Sequence, residues 1–408
     1  MASRSRSCTD SEIRLDGLTE VETYKDKHLY ADPGNHSSDH FKRRMSPLRF
    51  KMRSWLVQYT EEQSGRLNKW QIKYRSPWMD KYFAYTALMG SHMFYVVMVP
   101  MPRWIGYSDV CRDLVYILGY SIYFSGFLKD YWCLPRPKSP PLTRVTLSGY
   151  TTKEYGAPSS HTANATGVAL LMLWYICGSH TLTIRWKILA TIGTFFYYFT
   201  LTLGRIYCGM HGILDIVSGM SIGAACFAAR WAVLSYSSLD SASMQEWGFW
   251  FPFASIGLGL FLLFKHVEPV DHCPCFEDSV AFVGVICGLE TSDWLSWALW
   301  GSENYQVYYK WAEFGLLLTL RRIFIGVLLV ILWKSVVGKR LVYAILNSIF
   351  IDDRSLYVHQ HSEASAMKEV PLFSGRSRTE LLGRFMIYAG VASVVVLACP
   401  ITFQVLGV

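Results

Sequence analysis

Nine apolar stretches run through this chain of 408 residues, each near the ~20 residues that a helix needs to cross the ~30 Å hydrocarbon layer of a bilayer. They lie near 83–101, 110–128, 162–178, 186–204, 212–233, 248–265, 278–300, 314–334 and 385–406. Inside lipid every backbone N–H and C=O must bond within its own segment, which leaves the helix as the form these stretches take. Composition agrees: 17% of the residues are charged and 51% are apolar, whereas a soluble domain carries about 25% charged residues. The expected fold is all-α, a polytopic transmembrane helical bundle of eight or nine spans. The count hinges on the seventh and eighth stretches, which contain Glu290, Asp293, Arg321 and Arg322. Charges at mid-membrane depth are costly unless buried among helices or lifted to the surface, so one of the two is a candidate for a broken or tilted helix.

Much of the net charge of +8 falls before residue 82 and between Lys334 and Arg384. Beside membrane spans, basic stretches attract anionic headgroups and carry a topology signal; nucleic acid is not an expected partner. The first twenty residues contain no apolar core, so no cleavable signal peptide is expected and the first span serves as the signal anchor. Residues 1–45 read as a largely disordered tail. An amphipathic helix follows over 48–67, where Phe50, Trp55, Leu56 and Val57 mix with Arg49, Lys51, Arg53 and Arg66. It either lies in the membrane interface or packs on the protein. The chain then divides into a basic tail (1–80), a catalytic core (81–240) and a region of further helices (241–408), with a polar, basic connection over 335–384. Cysteines inside apolar stretches read as small buried hydrophobes. Cys273 and Cys275, with His266 and His272 nearby, lack the second pair that would make this spacing a metal site, and no metal or cofactor is expected.

Three polar islands interrupt the apolar pattern: Lys129 to Pro137, Tyr155 to His161, and Gly204 to Asp215. The first closes the second span and the second opens the third, so they share a loop. Spans three and four form a hairpin, which returns the chain to the same face at the third island. All three therefore meet on one side and gather Lys129, Arg136, Arg205, His161, His211 and Asp215. Three cations suit a phosphate dianion and the charge that develops as a phosphoryl group transfers. Arginine's planar fork binds two phosphate oxygens, while Lys129 acts as a point charge. Ser159 and Ser160 stand where a helix begins, and a helix N-terminus is an anion site. His211 and Asp215, four apart, share a helix face. The carboxylate would fix the ring's tautomer and leave the other nitrogen free to attack phosphorus, with His161 protonating the leaving alkoxide. Each island alone has an ordinary explanation, such as an interfacial histidine, a basic anchor or a structural pair. Their convergence on one face does not.

The pattern Lys-x6-Arg-Pro, Pro-Ser-x-His, Arg-x5-His-x3-Asp resembles the phosphatidic acid phosphatase type 2 superfamily, which includes the vanadium-dependent haloperoxidases. The blocks cover Lys129 to Asp215, about a fifth of the chain. The resemblance implies a phosphohistidine intermediate on His211 supported by Asp215, with His161 as general acid. It also implies phosphate contacts from Lys129, Arg136, Ser159 and Arg205, with Ser160 beside them, and no metal. Two positions depart from the family's habit: Ser160 stands where glycine is usual, and Gly204 where serine is usual. Within the superfamily, Tyr155-Gly-Ala-Pro-Ser-Ser-His and Arg205-Ile-Tyr-Cys-Gly-Met-His look like the sphingoid long-chain-base phosphate phosphatases, the fungal members above all. That branch implies a six-helix core with extra C-terminal helices, residence in the endoplasmic reticulum membrane, and hydrolysis of dihydrosphingosine, phytosphingosine or sphingosine 1-phosphate.

Alternatives remain at this level. A broader lipid phosphate phosphatase or a lipid phosphotransferase would use the same islands, and a transporter or scramblase would use the charges of the later spans. A substrate amine would call for a carboxylate, with Asp130 and Glu154 as candidates against solvated loop charge. Orientation is contested: Arg66, Lys69, Lys73, Arg75 and Lys81 place the tail, and with it the site, in the cytosol, whereas the resemblance implies a luminal site and makes Asn35-His-Ser37 a usable glycosylation sequon. The luminal placement is the expectation adopted. Gly219 and Gly223 predict close helix packing, either internal or between subunits of a homodimer.

Overall fold

The computed structural model describes residues 32–61, 63–148, 151–236, 248–301, 307–354, 372–373 and 375–408, together with the backbone of 19–20. The N-terminal helices are α1 (Ser38–Lys42), α2 (Pro47–Glu61) and α3 (Gln63–Tyr74). Then come α4 (Pro77–Thr86), α5 (His92–Met98), α6 (Met101–Trp104) and α7 (Ser108–Trp132). The next helices are α8 (Ser160–Gly178), α9 (Ile184–Tyr207), α10 (Ile213–Tyr236), α11 (Trp250–Phe264) and α12 (Cys275–Trp300). The last are α13 (Trp311–Leu332), α14 (Gly338–Ile349), α15 (Arg378–Ser393) and α16 (Cys399–Leu406). A two-residue ladder, β1 (Thr19–Glu20) with β2 (Val145–Thr146), completes the secondary structure.

Each apolar stretch of the sequence is helical here. By length and composition, Ile213–Ser235, Trp311–Ile349 and Arg378–Leu406 can cross a membrane. The pair Pro77–Gly90 and His92–Trp104, bent by 58°, makes a fourth if it is one span. The chain is thus a helical, multi-pass membrane protein, with apolar side chains such as Phe196, Phe253, Phe264, Leu317 and Phe324 on its outer surface. The bend has a local cause. Ser91, inside an apolar stretch, accepts the Phe94 N–H at 3.2 Å and so starts a new helix.

α7 is the central post. It packs against α8, α10 and α12, and Leu114, Ile117, Leu118 and Ile122 meet Tyr95, Leu171 and Phe282 in a buried apolar cluster. Gly219 and Gly223 of α10 face α8: a Cβ would lie 2.5 Å from the Ser159 carbonyl oxygen and 2.2 Å from that of Ala163. The small-residue spacing therefore serves an internal contact.

The tail differs from expectation. Residues 1–18 and 21–31 lie outside the described residues, but 32–45 are folded. Phe41 is fully buried with the Arg53 guanidinium 3.5 Å above its ring, and the Gly34 N–H donates to Asp271 at 2.9 Å. That partner is 237 residues away, which no local pattern displays. α2 and α3 pack on the protein while keeping Trp55, Tyr59, Trp70, Ile72 and Tyr74 exposed. Arg49 and Arg53 are not free surface charges: Arg49 donates to the carbonyl oxygens of Tyr131 and Asp130, and Arg53 to those of Cys133 and Gly34. The stretch 335–384, expected to be a polar connection, contains helix α14 (Gly338–Ile349), and 355–371 lie outside the described residues.

Candidate active site

The three islands converge as the hairpin argument requires. Lys129 comes from the last turn of α7 and Arg136 from the loop after it. Ser159, Ser160 and His161 form the start of α8. Arg205 lies in the last turn of α9, and His211 and Asp215 flank the start of α10. Ser159 is the N-cap of α8: its hydroxyl accepts from the Thr162 N–H at 3.4 Å, and its own N–H donates to the Asp215 carbonyl at 2.9 Å. Helix capping thus ties the second island to the third.

His211 is held from both sides. Nδ1 lies 3.2 Å from Asp215 Oδ2, which also accepts the Gly212 N–H at 2.9 Å. On the other side an Arg136 Nη1–H donates to His211 Nε2 at 3.1 Å. Arginine has no acceptor, so Nε2 carries its lone pair and the proton sits on Nδ1, facing the carboxylate. Burial holds the His211 pKa well below the usual histidine value, and the charges of Arg136, Lys129 and Arg205 add to the effect. The ring is neutral at physiological pH, the state a nucleophile needs. Arg136 is fixed by donating to the carbonyl oxygens of Met210 (2.7 Å), Glu154 (2.9 Å) and Thr151 (2.8 Å). Burial lowers it to about 10, still cationic at neutral pH.

A cavity of about 330 Å³ opens beside this group, with Lys129, Ser160, His161 and Arg205 on its wall. Arg136, Ser159, His211 and Asp215 stand one layer behind, all buried. The buried Nε of Arg205 has no hydrogen-bond partner among the described residues, so a cation faces the cavity with donor capacity to spare. Gly204 also finds its reason: a Cβ there would lie 2.8 Å from Cδ1 of Phe83, so the usual serine would collide with the α4 ring.

Several groups at this site carry no signal in the three islands. Glu154 is buried, not a solvated loop charge. It accepts from Lys129 Nζ and lies 3.8 Å from Arg136 Nη2. Burial pushes its pKa up, but Lys129 and Arg136 more than reverse this and leave it lowered. Asp278 of α12 and His92 of α5 also line the cavity, paired at 3.2 Å. Asp130 turns to the other side of α7, toward Arg376 (3.5 Å) and His266 (3.7 Å). Gln63 of α3 accepts the Ile213 N–H at 3.0 Å, and Gln71 bridges Thr143 and the Tyr207 carbonyl at 2.7–2.9 Å. Such partners lie from 18 to 246 residues apart in sequence, so only the fold reveals them.

Among the described residues, two groups have metal-compatible donors: His36, His40 and Asp271, and Asp130 with Cys273 and Cys275. The two sulfurs of the second group form a disulfide. The first group lies outside the cavity wall. Of the four charged residues singled out in the later helices, Arg321 is exposed and the other three are committed to structure. Asp293 pairs with Arg103 (3.0 Å) and Arg112 (3.3 Å). Glu290 accepts from Tyr116 at 2.6 Å and from Ser255. Arg322 donates to the carbonyl oxygens of Trp104 and Tyr308.

Comparison with known proteins agrees with this geometry. The family described as the PAP2 superfamily matches residues 111–238. A dihydrosphingosine 1-phosphate phosphatase of Saccharomyces cerevisiae is 54% identical over 383 residues, 92% of each chain. One of Schizosaccharomyces pombe is 35% identical over 78% of this chain and 76% of its own. The human sphingosine-1-phosphate phosphatase 2 is 25% identical over 62% of this chain and 63% of its own. No solved structure gives a significant match. With its three blocks meeting around His211, the chain belongs to the PAP2 superfamily, the phosphatidic acid phosphatases of type 2.

Proposed function

We propose that the protein hydrolyses sphingoid long-chain-base 1-phosphates to the free base and phosphate through a phosphohistidine on His211. The observation that carries this reading is the imidazole clamped between Asp215 and Arg136, with its Nε2 lone pair among three cations. The substrate class rests on the two fungal relatives, both dihydrosphingosine 1-phosphate phosphatases by name. In the first step the Arg136 N–H leaves Nε2 for a phosphoryl oxygen, and the freed lone pair attacks phosphorus as the P–O bond to the lipid breaks. Burial and then Arg205 hold the His161 pKa well below the ordinary histidine value in the free protein. The bound phosphate dianion offsets the surrounding cations, so that His161 gains a proton and gives it to the departing oxygen, while Asp215 stabilises the His211 ring as positive charge develops. In the second step His161 takes a proton from water, whose oxygen displaces Nε2 from phosphorus. Lys129, Arg136, Arg205 and the start of α8, with Ser159 and Ser160, hold the phosphoryl oxygens throughout. Because Glu154 engages Lys129 and Arg136 in the free protein, binding of phosphate requires that carboxylate to yield its place.

The same reading makes 81–240 the catalytic core, adds further spans after it, and puts the site on the luminal face of the endoplasmic reticulum membrane. The test is phosphate release from dihydrosphingosine 1-phosphate and from phosphatidate by the purified protein in detergent with EDTA, with His211→Ala as the blank. Release from the first substrate, insensitive to EDTA and absent in the variant, is expected. Equal turnover of phosphatidate would keep the mechanism and discard the substrate class. Loss of activity in EDTA, or its survival in His211→Ala, would overturn the mechanism.

A further inference from the structure

The cavity is not lined by cations alone. Glu154 stands beside Lys129, and Asp278 enters from α12. An ionised carboxylate next to a phosphate dianion raises its energy, since like charges a few ångströms apart repel, and burial then favours the protonated acid. A site built only for phosphate gains nothing from such groups. The cost disappears if the ligand brings a positive charge of its own, close to its phosphate.

We infer that Asp278, with its partner His92, forms the subsite that receives the ammonium group of an amino-lipid phosphate. The inference rests on the proposed phosphatase reading and extends it to the choice of substrate. In a sphingoid base phosphate the ammonium is borne by the carbon next to the one carrying the phosphate ester. The two charges are therefore read by adjoining parts of one cavity. Asp278 suits the role because the group beside it is the imidazole of His92, at 3.2 Å, whereas Glu154 is engaged by the cations Lys129 and Arg136.

Helix packing explains how Asp278 reaches this position. At Gly126 of α7 a Cβ would lie 2.6 Å from Ser279 Oγ and 3.1 Å from the Cys275 carbonyl oxygen. Only a glycine lets α12 approach so closely, one turn from Lys129. The order of surfaces continues in the same sense. Below Asp278, at successive turns of α12, Phe282, Val285 and Leu289 pack with Leu118 and Val115 of α7 around an apolar void of about 50 Å³. From 278 to 289 the helix rises about 16 Å, roughly half the hydrocarbon layer. Cations, carboxylate and apolar helix faces thus follow one another in the order of phosphate, ammonium and alkyl chain in the ligand. Asp278 and His92 lie outside residues 111–238, the part matched to the family. Helices flanking the shared core would then set which lipid it accepts.

The experiment compares kcat/KM for dihydrosphingosine 1-phosphate with that for lysophosphatidate, a single-chain phosphate monoester without an amine, in wild type and Asp278→Asn. The ratio should fall by at least about tenfold in the variant, chiefly through KM for the amino lipid, as expected when a buried charge pair loses a partner. A second measurement needs only wild type: inhibition by dihydrosphingosine against its N-acetyl derivative, which lacks the charge. The free amine should inhibit at least about tenfold more strongly. An unchanged ratio, or equal inhibition by both amphiphiles, overturns the ammonium site while leaving the phosphatase reading intact. Failure of wild type to release phosphate from dihydrosphingosine 1-phosphate in EDTA overturns both.

Discussion

Arg136 and Asp215 act on the same imidazole in opposite ways. The carboxylate, 3.2 Å from Nδ1, favours positive charge on His211, but burial first and then the guanidinium oppose it and hold the ring's pKa well below the ordinary histidine value. The sign has a consequence. Removing the cation in Arg136→Gln should raise the pKa toward its ordinary value, so that neutral nucleophile is lost at a higher pH. The acid-side fall of kcat/KM should then move upward relative to wild type, with the substrate's own phosphate ionisation near ~6 common to both profiles. An unmoved acid limb would remove Arg136 from contact with Nε2. Arg205→Lys should cost about a hundredfold in kcat, the scale for losing one oriented donor, because an ammonium cannot reproduce two-oxygen contact. Gly204→Ser should destabilise the protein by ~1–3 kcal/mol through overpacking, read as a fall in melting temperature. Adding Phe83→Ala should restore part of it. If the double variant melts no higher than Gly204→Ser alone, the collision with Phe83 is not the reason for glycine.

At the scale of elements, close approaches and caps place the catalytic groups. α8 and α10 touch backbone to backbone at Gly219 and Gly223, which sets the start of α8 against Asp215. Gly223→Ala should therefore lower activity and melting temperature together, at a cost of ~1–3 kcal/mol; a change in stability alone would separate this packing from the site. At α15, Asp353 accepts from the N–H groups of Arg378 and Thr379 at 2.8 and 3.2 Å and acts as a cap from outside the helix. The helices, the convergence of the islands and the pair His211–Asp215 were legible in the sequence, because apolar length and i,i+4 spacing are local properties. The break at Ser91 was not, since one capping serine in an apolar stretch looks like tolerated polarity. Nor were the folding of 32–45 or the burial of Glu154 and Asp278, whose partners come from distant parts of the chain.

At the scale of the molecule, two ionic layers sit at opposite ends of α7. One is the catalytic group around Lys129; the other joins Arg103, Arg112 and Asp293, with Arg230 and Asp113 at 2.6 Å. The second layer ties α12, which follows the core, to helices of the core itself. Asp293→Asn should cost on the order of 3–5 kcal/mol, as removal of one member of a buried ion pair does. The loss should show as a fall in melting temperature while phosphate release per folded molecule holds. Release that fell in proportion to dihydrosphingosine 1-phosphate affinity would instead tie this layer to the substrate. Orientation is testable as well. The N-terminal helices touch the catalytic loops, so a glycosylation tag fused ahead of residue 1 reports the face of the site. Acquisition of glycan is expected for a luminal site, and an unmodified tag would place it in the cytosol.

The seating of α2 and α3 on the catalytic loops alters how deletions should be interpreted. Gln63 grips the backbone at Ile213, two residues after the nucleophile, and Gln71 clasps the turn that precedes it. A truncation reaching past residue 63 would resemble a trafficking defect in a cell, because it removes a basic segment ahead of the first span. Its primary lesion would be a slackened active centre in a correctly delivered protein.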